Sequence, residues 1–301
     1  MTFRLAQISD LHLPFWPGRW RSRDCSLKRL AGWVNMRWLR RSELFALAET
    51  VAASLVRDIL ARRPDAIVMC GDVVCLGFEE EFAQAAALLR PLLENFPGLA
   101  VPGNHDHYCA EAVLSRSFER HFAAWQQGLR VENAHYPFAL ALDSATLVGV
   151  NSAQATYWPW DTRGQVGPAQ LKLLEELLKR SASRSQRLLL VTHYPYVRAD
   201  GSFETYFRRL TDADALAELL ARYGVVAWLH GHRHSPYFHP PQLARGFALI
   251  CSGSATQRGI WSYYEHQWRE KSLHLSRRAY WLPTDEFVEV SQTEIPLVTA
   301  T

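Results

Sequence analysis

LHGHRH (229–234) places His230, His232 and His234 at every second position, directly after the strand-like run VVAWL (225–229). Imidazoles at this density are unusual in an ordinary protein core, and a neutral imidazole is a common metal ligand. The other polar residues that the fold brings to these histidines decide between a packed strand end and a metal site.

Other strand-like runs along the chain also end in polar clusters. FRLAQI (3–8), DAIVMC (65–70), LAVP (99–102) and RLLLVT (187–192) lead into Asp10 and His12, Asp72, Asn104 to Asp106, and His193. Helical patterns at 42–62, 79–94, 111–126, 168–180 and 212–222 separate the strands, and FALICSGS, EFVEV and a hairpin follow residue 246. This alternation predicts an α/β architecture. Ligands in such folds bind beyond the carboxyl ends of the strands, so we expect the polar clusters to converge.

The candidate ligands combine carboxylate or amide oxygens with imidazole nitrogens: Asp10, His12, Asp72, Asn104, His193, His232 and His234. This mixture suits Mn, Fe, Zn or Co, whereas a Ca²⁺ cage needs no imidazoles and a four-cysteine zinc site needs thiolates. The set is too large for one ion and suits two divalent ions that share a carboxylate, with Mn²⁺ as our first expectation. On extended segments, D-x-H and H-x-H spacing would place both ligands on one side of the chain.

The five blocks resemble those of the calcineurin-like metallophosphoesterases in order and approximate spacing. They are DLH (10–12), GDVV (71–74), GNHD (103–106), His193 and GHRH (231–234), spread over roughly residues 3–235. The resemblance implies a two-sheet β-sandwich flanked by helices, the αββα fold. We expect one domain over 1–301, with a basic helical insertion at about 15–41 and a β-rich part at about 246–290 that closes the sandwich.

The resemblance also implies a role for each residue of the blocks. Asp10, His12 and His234 would hold one metal, Asn104, His193 and His232 the other, and Asp72 would bridge them. His105 would face the leaving-group oxygen as an acid or charge stabiliser, and Asp106 would orient His105. His230 matches no ligand position and is expected to be structural.

Two cations about 3.5–4 Å apart clamp a phosphorus ester and lower the pKa of a bridging water from 15.7 toward about 7. The hydroxide formed in this way attacks phosphorus in line, and the sequence offers no GxSxG motif for a serine nucleophile. We therefore expect an enzyme that hydrolyses a phosphodiester or pyrophosphate bond.

The charge is distributed unevenly along the chain. The formal net charge is +3, too small to predict a nucleic-acid partner, but residues 15–41 hold eight basic residues and one acid. Within SLKRLAGWVNMRWLRR (26–41), a helical wheel gives an apolar stripe of Leu27, Leu30, Ala31, Val34 and Trp38. A basic, aromatic amphipathic helix suits a membrane interface, and its contact candidates are Trp33, Trp38, Arg37 and Arg40. The alternative is a cap helix that packs on the domain while its arginines face water.

The loops determine the substrate. The KRLAGWVN run near the first block resembles the metallophosphoesterase-type UDP-2,3-diacylglucosamine hydrolases, which cleave a pyrophosphate in lipid A synthesis, and implies a lipid-linked nucleotide. A soluble cyclic-nucleotide or glycerophosphodiester phosphodiesterase shares the same blocks and is the alternative. GNHD and GDVVCLG (71–77) disfavour serine/threonine protein phosphatases. A non-catalytic metal-binding scaffold is a third reading, against which the complete ligand set and His105 argue. Arg163 and His107 are further candidates for substrate contact.

The five cysteines form no C-x-x-C pair, which predicts free thiols in a reducing compartment. The chain starts with a strand-like run and holds no stretch of about 18 apolar residues. We therefore expect a cytoplasmic protein, with membrane contact limited to the cytoplasmic face.

Overall fold

Two β-sheets stacked face to face form the centre of the computed structural model, in which residues 2–39, 41–182 and 187–297 are described. In chain order the strands are β1 (Phe3–Ile8), β2 (Ala66–Met69), β3 (Gly98–Ala100), β4 (Leu129–Arg130), β5 (Phe138–Ala141), β6 (Ala145–Gly149), β7 (Arg187–Val191), β8 (Ala227–His230), β9 (Tyr237–His239), β10 (Ala248–Cys251), β11 (Ser262–Trp268), β12 (Ser272–Trp281) and β13 (Glu286–Pro296). The first sheet runs β13-β12-β11-β1-β2-β3 and the second β4-β5-β6-β7-β8-β10-β9. In the first sheet β1, β2 and β3 pair in parallel up to one edge, and β11, β12 and β13 extend the other side as antiparallel strands. In the second sheet β6, β7, β8 and β10 pair in parallel, and the outer pairs are antiparallel.

Helices flank the two sheets. They are α1 (Leu27–Trp38), α2 (Ala48–Arg62), α3 (Glu79–Asn95), α4 (Ala110–Ser115), α5 (Ser117–His121), α6 (Pro168–Ala182) and α7 (Ala213–Arg222). Apolar residues of α2 and α3 share a core with the first sheet, and those of α6 and α7 share one with the second. The expected αββα architecture is confirmed.

Strand β2 shows how the layers are built. Ala66 and Val68 join the core between the sheets, whereas Ile67 and Met69 face the helices. Because both faces of the strand are buried, its sequence is continuously apolar and polar residues enter only where it ends. The functional residues therefore lie at the carboxyl ends of the strands.

The hairpin predicted in YEHQWREKSLHLSRRAYWL (264–282) is confirmed as the antiparallel pair β11–β12. The helical pattern at 111–126 is divided into α4, α5 and a 3₁₀ turn (Ala123–Trp125), because Arg116 adopts a left-handed conformation with φ 51°. The short strands β4, β5, β6 and β9 were not predicted, since runs of two to five residues carry little periodicity.

Helix α1 packs on the domain, as the cap-helix alternative expects, but Arg29 is buried and does not face water, whereas Arg37 is exposed. Lys28 and Arg29 are buried, whereas Leu30 and Trp38 of the stripe are exposed, Trp38 by 73 %. The Arg29 guanidinium donates to the carbonyls of Leu76, Gly77 and Asp24, at 3.1, 2.8 and 3.0 Å. These buried carbonyls need donors that a leucine cannot supply, which fixes the orientation of the helix.

Only two of the four predicted membrane contacts are seen as exposed side chains in the described residues. Trp33 packs edge to face on Trp20, with ring centroids 6.4 Å apart, and is partly buried. Arg40 lies outside the described residues. Trp38 and Arg37 are exposed as that prediction requires. Over the described ranges, none of the helices combines the length and apolar composition that crossing a bilayer demands.

The buried cation of Lys28 leads to a prediction for stability. Burial lowers the pKa of Lys28 from 10.5 to about 8, and Asp161 opposes this shift. The unfolded chain keeps the higher pKa, so the charged amine costs on the order of 3 kcal/mol of folding free energy at pH 7. We predict that Lys28→Met increases the free energy of unfolding by about 1–3 kcal/mol at pH 7, net of the lost hydrogen bond to Thr156.

The sign of the pH dependence follows from the same two pKa values. Between about pH 8 and 10.5 the unfolded chain binds the proton that the folded protein has released. The free energy of unfolding of the wild type therefore rises with pH relative to that of the variant. Urea unfolding of both proteins at pH 7, 8.5 and 10 measures this difference, in which all other titrations cancel. A variant that is less stable at pH 7, by an amount independent of pH, would contradict the prediction.

Candidate metal centre

The seven predicted ligands converge between the carboxyl ends of the two sheets. Loops after β1, β2 and β3 of the first sheet and after β7 and β8 of the second contribute them: Asp10, His12, Asp72, Asn104, His193, His232 and His234. All but His234, which is partly exposed, are buried. The centre therefore exists only where the two sheets meet.

Asp10, His12, Asp72 and His234 form the first ligand group, with one donor atom of each lying within 4.8 Å of the others. The Nε2 atoms of His12 and His234 are 3.1 Å apart. Asp10 Oδ1 is 3.3 Å from His234 Nε2, and Asp72 Oδ2 is 3.6 Å from His12 Nε2. Two carboxylate oxygens and two ring nitrogens thus point to a common centre.

Asn104, His193 and His232 form the second ligand group. Asn104 Oδ1 lies 3.2 Å from His193 Nε2 and 3.0 Å from His232 Nδ1. Asp72 Oδ2, which belongs to the first group, is also 3.3 Å from His193 Nε2. One carboxylate oxygen of Asp72 is therefore shared by the two groups.

The donors fit divalent cations. Asp10 Oδ1 is fully buried and accepts no hydrogen bond from any residue in the described ranges, whereas buried carboxylate oxygens are normally satisfied. It faces ring nitrogens that also converge on one another. Mixed oxygen and imidazole donors of this kind suit Mn, Fe, Zn or Co.

The backbone at the ligands is left-handed and not extended. Asp10, His12, Asp72, His232 and His234 have φ values of 52°, 42°, 55°, 70° and 58°. The expectation that D-x-H and H-x-H sit on extended segments is therefore wrong. A residue other than glycine in the left-handed conformation costs of order 1–3 kcal/mol, and such strain is concentrated at functional sites.

Glycines in the blocks allow the ligand loops to approach one another. A Cβ on Gly103 would overlap the Asp72 carboxylate, and one on Gly231 would overlap the side chains of Ser9 and Asp10. The glycines of GNHD and GHRH therefore make room for the carboxylates of other blocks.

Outer partners fix the ring nitrogens of the ligand histidines. His193 Nδ1 bonds the carbonyl of Cys70 at 2.7 Å, and His232 Nε2 bonds that of Arg208 at 3.1 Å. Because a carbonyl only accepts, the proton sits on the bonded nitrogen and the other nitrogen is free to bind a cation. Gln257, which the sequence patterns did not reveal, holds Nδ1 of His234 through its Oε1.

Charges within the centre shift one another's pKa values. Burial disfavours the charged forms of both Asp72 and His193, but their mutual attraction outweighs it. The pKa of Asp72 falls well below its usual range, and that of His193 rises to about 9. Burial raises the pKa of Asp10. Since histidine binds a cation in its neutral form, a cation here would displace the proton of His193.

The expected relation between Asp106 and His105 needs correction. The Asp106 carboxylate accepts hydrogen bonds from the amides of Asp72, Val73 and Gly103, at 2.7, 2.9 and 2.8 Å. The His105 ring is instead held by the carbonyl of Cys75, 2.5 Å from its Nδ1. Asp106 therefore joins two ligand loops, because the buried amides of both loops need an acceptor.

A cavity of about 240 Å³ opens onto the centre, lined by Arg41, Asp72, Asn104, His105, Trp160, Thr162, Arg208, His232 and His234. Arg41, Trp160 and Arg208 were not predicted as site residues, although Arg41 belongs to the basic segment. The predicted substrate contacts Arg163 and His107 are engaged elsewhere. Arg163 pairs with Asp161 at 2.7 Å, and buried His107 lies 3.3 Å from Glu119.

Sequence comparisons agree with this geometry. A family model described as calcineurin-like phosphoesterase matches residues 3–236. The chain is 28% identical over 187 residues to mouse tartrate-resistant acid phosphatase type 5, covering 59% of this chain and 53% of that protein. The rat protein of the same name is 26% identical over 187 residues. The chain thus spans about half the length of the curated relatives it matches.

Solved structures share the fold. A dimetal phosphatase from Danio rerio has a TM-score of 0.65 at 14% identity, with 98% of this chain and 99% of that chain covered. Purple acid phosphatase PPD1 from yellow lupin has a TM-score of 0.60 at 14% identity, covering 99% of this chain and 54% of that chain. GAP50, described as the anchor in the inner membrane complex of Plasmodium, has a TM-score of 0.56 at 12% identity, with coverages of 99% and 90%.

Proposed function

Because this chain belongs to the calcineurin-like phosphoesterase family, we propose that it is a dinuclear-metal hydrolase of phosphodiester or pyrophosphate bonds. The observation that carries the proposal is the shared carboxylate of Asp72. Its Oδ2 lies 3.6 Å from His12 Nε2 and 3.3 Å from His193 Nε2, so one oxygen serves both ligand groups, as a ligand shared by two cations would. We expect Mn²⁺ as the resident ion, with Fe, Zn or Co as alternatives that the same donors accept.

Different residues would hold the two cations and bind the phosphate oxygens. Asp10, His12 and His234 would hold one cation, Asn104, His193 and His232 the other, and Asp72 both. Bound cations supply Lewis-acid activation of the phosphoryl group and of a water molecule. Arg41 and Arg208 bring positive charge to the walls of the same cavity, where they would bind phosphate oxygens.

Metal removal and re-addition test this proposal. The metal-stripped protein is assayed with bis(p-nitrophenyl) phosphate, then again with Mn²⁺ restored. We expect hydrolysis only with the metal. A protein that binds two ions yet hydrolyses neither this diester nor UDP-2,3-diacylglucosamine would be the metal-binding scaffold instead.

The surface around the cavity favours a lipid-linked substrate. The stripe residues Leu27, Leu30, Val34 and Trp38 are exposed. On the same helix, the Lys28 amine lies 2.6 Å from the hydroxyl of Thr156, whose loop continues to the exposed rings of Trp158 and Trp160. Trp160 lines the cavity, so the loop that α1 contacts through Lys28 also carries exposed aromatic surface to the entrance of the site.

We propose that this surface docks on a lipid bilayer. Arg37 is exposed on the same helix, and Arg19 and Arg23 are exposed in the segment before it. These arginines would meet anionic headgroups, while Leu and Trp side chains suit the interfacial layer. The proposed substrate is a lipid-linked pyrophosphate such as UDP-2,3-diacylglucosamine, at the cytoplasmic face of the membrane. The five free cysteines suit that reducing compartment. Diester hydrolysis without turnover of the lipid substrate in micelles would favour the soluble phosphodiesterase.

Aspartates in the stripe are expected to abolish membrane binding. Each buried Leu or Trp side chain contributes about 1.5–3 kcal/mol, so Leu30→Asp with Trp38→Asp should weaken binding at least about 100-fold. Co-sedimentation with vesicles of phosphatidylethanolamine and phosphatidylglycerol measures the affinity. The matched control is Leu114→Asp with Leu243→Asp, which replaces leucines that are 83 % and 73 % exposed outside the basic segment. Equal vesicle binding by both double variants would contradict the docking surface.

A further inference from the structure

Arg41 lies at the wall of the metal cavity, beside the histidine assigned to the leaving group. Its Nη2 is 3.4 Å from Nε2 of His105, and both residues line the cavity with Asp72 and Asn104. With His105 in its expected role, the guanidinium lies on the side of the cavity from which the leaving group would depart.

The position of Arg41 is fixed by the centre itself. Arg41 begins a 3₁₀ turn (Arg41–Phe45) that ends at a buried phenylalanine. The Phe45 ring packs on the ligand rings of His12 and His234, with centroids 4.9 and 6.2 Å apart. This packing holds the turn, and with it Arg41, against the metal site.

The charge of Arg41 is uncompensated among the described residues, where no carboxylate lies within 4.0 Å of its guanidinium. By contrast, Arg62 pairs with Glu265 and Arg163 pairs with Asp161. A partly buried arginine without an acidic partner at the wall of a cavity is suited to bind an anionic ligand.

His105 does not supply this charge in the geometry observed. Its Nδ1 faces the carbonyl of Cys75, which only accepts, so the ring proton lies on Nδ1. Nε2, the atom that faces Arg41, then offers a lone pair. The positive group on the leaving side of the cavity is therefore Arg41.

We infer that Arg41 selects substrates whose leaving group is itself a phosphate, so that the site prefers pyrophosphates to simple phosphodiesters. The inference rests on the proposed function and deepens it. In the reaction, a water oxygen bonds to the reacting phosphorus and the P–O bond to the bridging oxygen breaks. The electron pair of that bond stays on the leaving phosphate, and the water proton passes to solvent. Arg41 would bind the oxygens of this leaving phosphate.

Two substrates that differ only by one phosphate test the inference. They are bis(p-nitrophenyl) pyrophosphate, followed by release of p-nitrophenyl phosphate, and bis(p-nitrophenyl) phosphate, followed by release of p-nitrophenol. We expect Arg41→Ala to lower kcat/KM for the pyrophosphate about 10²-fold, the loss typical of one oriented donor. The same change should lower kcat/KM for the diester less than about fivefold, and Arg41→Lys should recover part of the pyrophosphate activity because it restores the charge.

Arg90→Ala is the matched control, since Arg90 is an exposed arginine of α3, outside the cavity. It should leave both activities unchanged. Equal losses of kcat/KM on both substrates in Arg41→Ala and Arg41→Lys would show that Arg41 acts on the reacting phosphoryl group. Wild-type kcat/KM on both substrates would show that Arg41 does not bind substrate. Either result overturns the inference. Failure of the proposed function is distinguishable, because the wild-type protein would then hydrolyse neither substrate.

Discussion

Asp72→Asn is expected to lower kcat/KM for phosphodiester hydrolysis by at least about 10³-fold and to reduce the bound metal from two ions to at most one. Asp72 Oδ2 is the atom shared by the two ligand groups, 3.6 Å from His12 Nε2 and 3.3 Å from His193 Nε2. Asparagine keeps the shape of the side chain but removes the negative charge that offsets two adjacent cations. Without both ions, the activation of phosphoryl group and water is lost.

Metal content by mass spectrometry and turnover of bis(p-nitrophenyl) phosphate measure the two parts of this prediction. His230→Gln is the control, because His230 is a buried imidazole of the same HGHRH run that belongs to neither ligand group. It should keep both ions. An Asp72→Asn protein with two ions and wild-type turnover would show that Asp72 does not bridge the centre.

Asp106→Ala is expected to lower the free energy of unfolding by about 3–5 kcal/mol. The carboxylate accepts hydrogen bonds from the buried amides of Asp72, Val73 and Gly103. Alanine would leave these donors unsatisfied, at about 1–3 kcal/mol each before relaxation. The loops that carry Asp72 and Asn104 would also lose their common anchor.

Urea unfolding of the metal-free proteins separates this effect from metal binding. Asp200→Ala is the control, because Asp200 also accepts a backbone hydrogen bond, 3.0 Å from the Ser202 amide, but it is exposed to water. Water replaces the lost acceptor there, so we expect a change of at most about 1 kcal/mol. A comparably small loss for Asp106→Ala would mean that the two ligand loops are held together by other contacts.

The ligand positions were predictable from the sequence because they depend on local features. Largely apolar runs mark the buried strands, and clusters of polar residues follow where those strands end, as at Asp10 and His193. The carboxyl ends of parallel strands meet at one edge, so the convergence of the ligands also followed. Neither step requires knowledge of a side-chain contact.

The conformation of the ligand loops was not predictable in the same way. Asp10 and His232 were expected on extended chain and have φ values of 52° and 70°. Local preference disfavours this conformation, and the contacts across the two sheets maintain it. The role of Asp106 was missed for a similar reason, since its partners at Asp72 and Val73 lie more than 30 residues earlier in the chain.

Helix α1 shows most clearly what the sequence determines and what only the tertiary structure determines. The sequence by itself predicted an amphipathic helix within residues 26–41, and the helix lies at Leu27–Trp38. Its apolar stripe and basic positions were predictable because the angle between side chains follows from 3.6 residues per turn. Only the tertiary structure decided which face meets the domain. The buried carbonyls of Leu76 and Gly77 need donors that Arg29 supplies, so Lys28 and Arg29 turn inward and the leucines turn outward. Tertiary structure also decided the position of Arg41. Phe45 packs against His12, a residue of a distant segment, and this contact places Arg41 at the metal cavity.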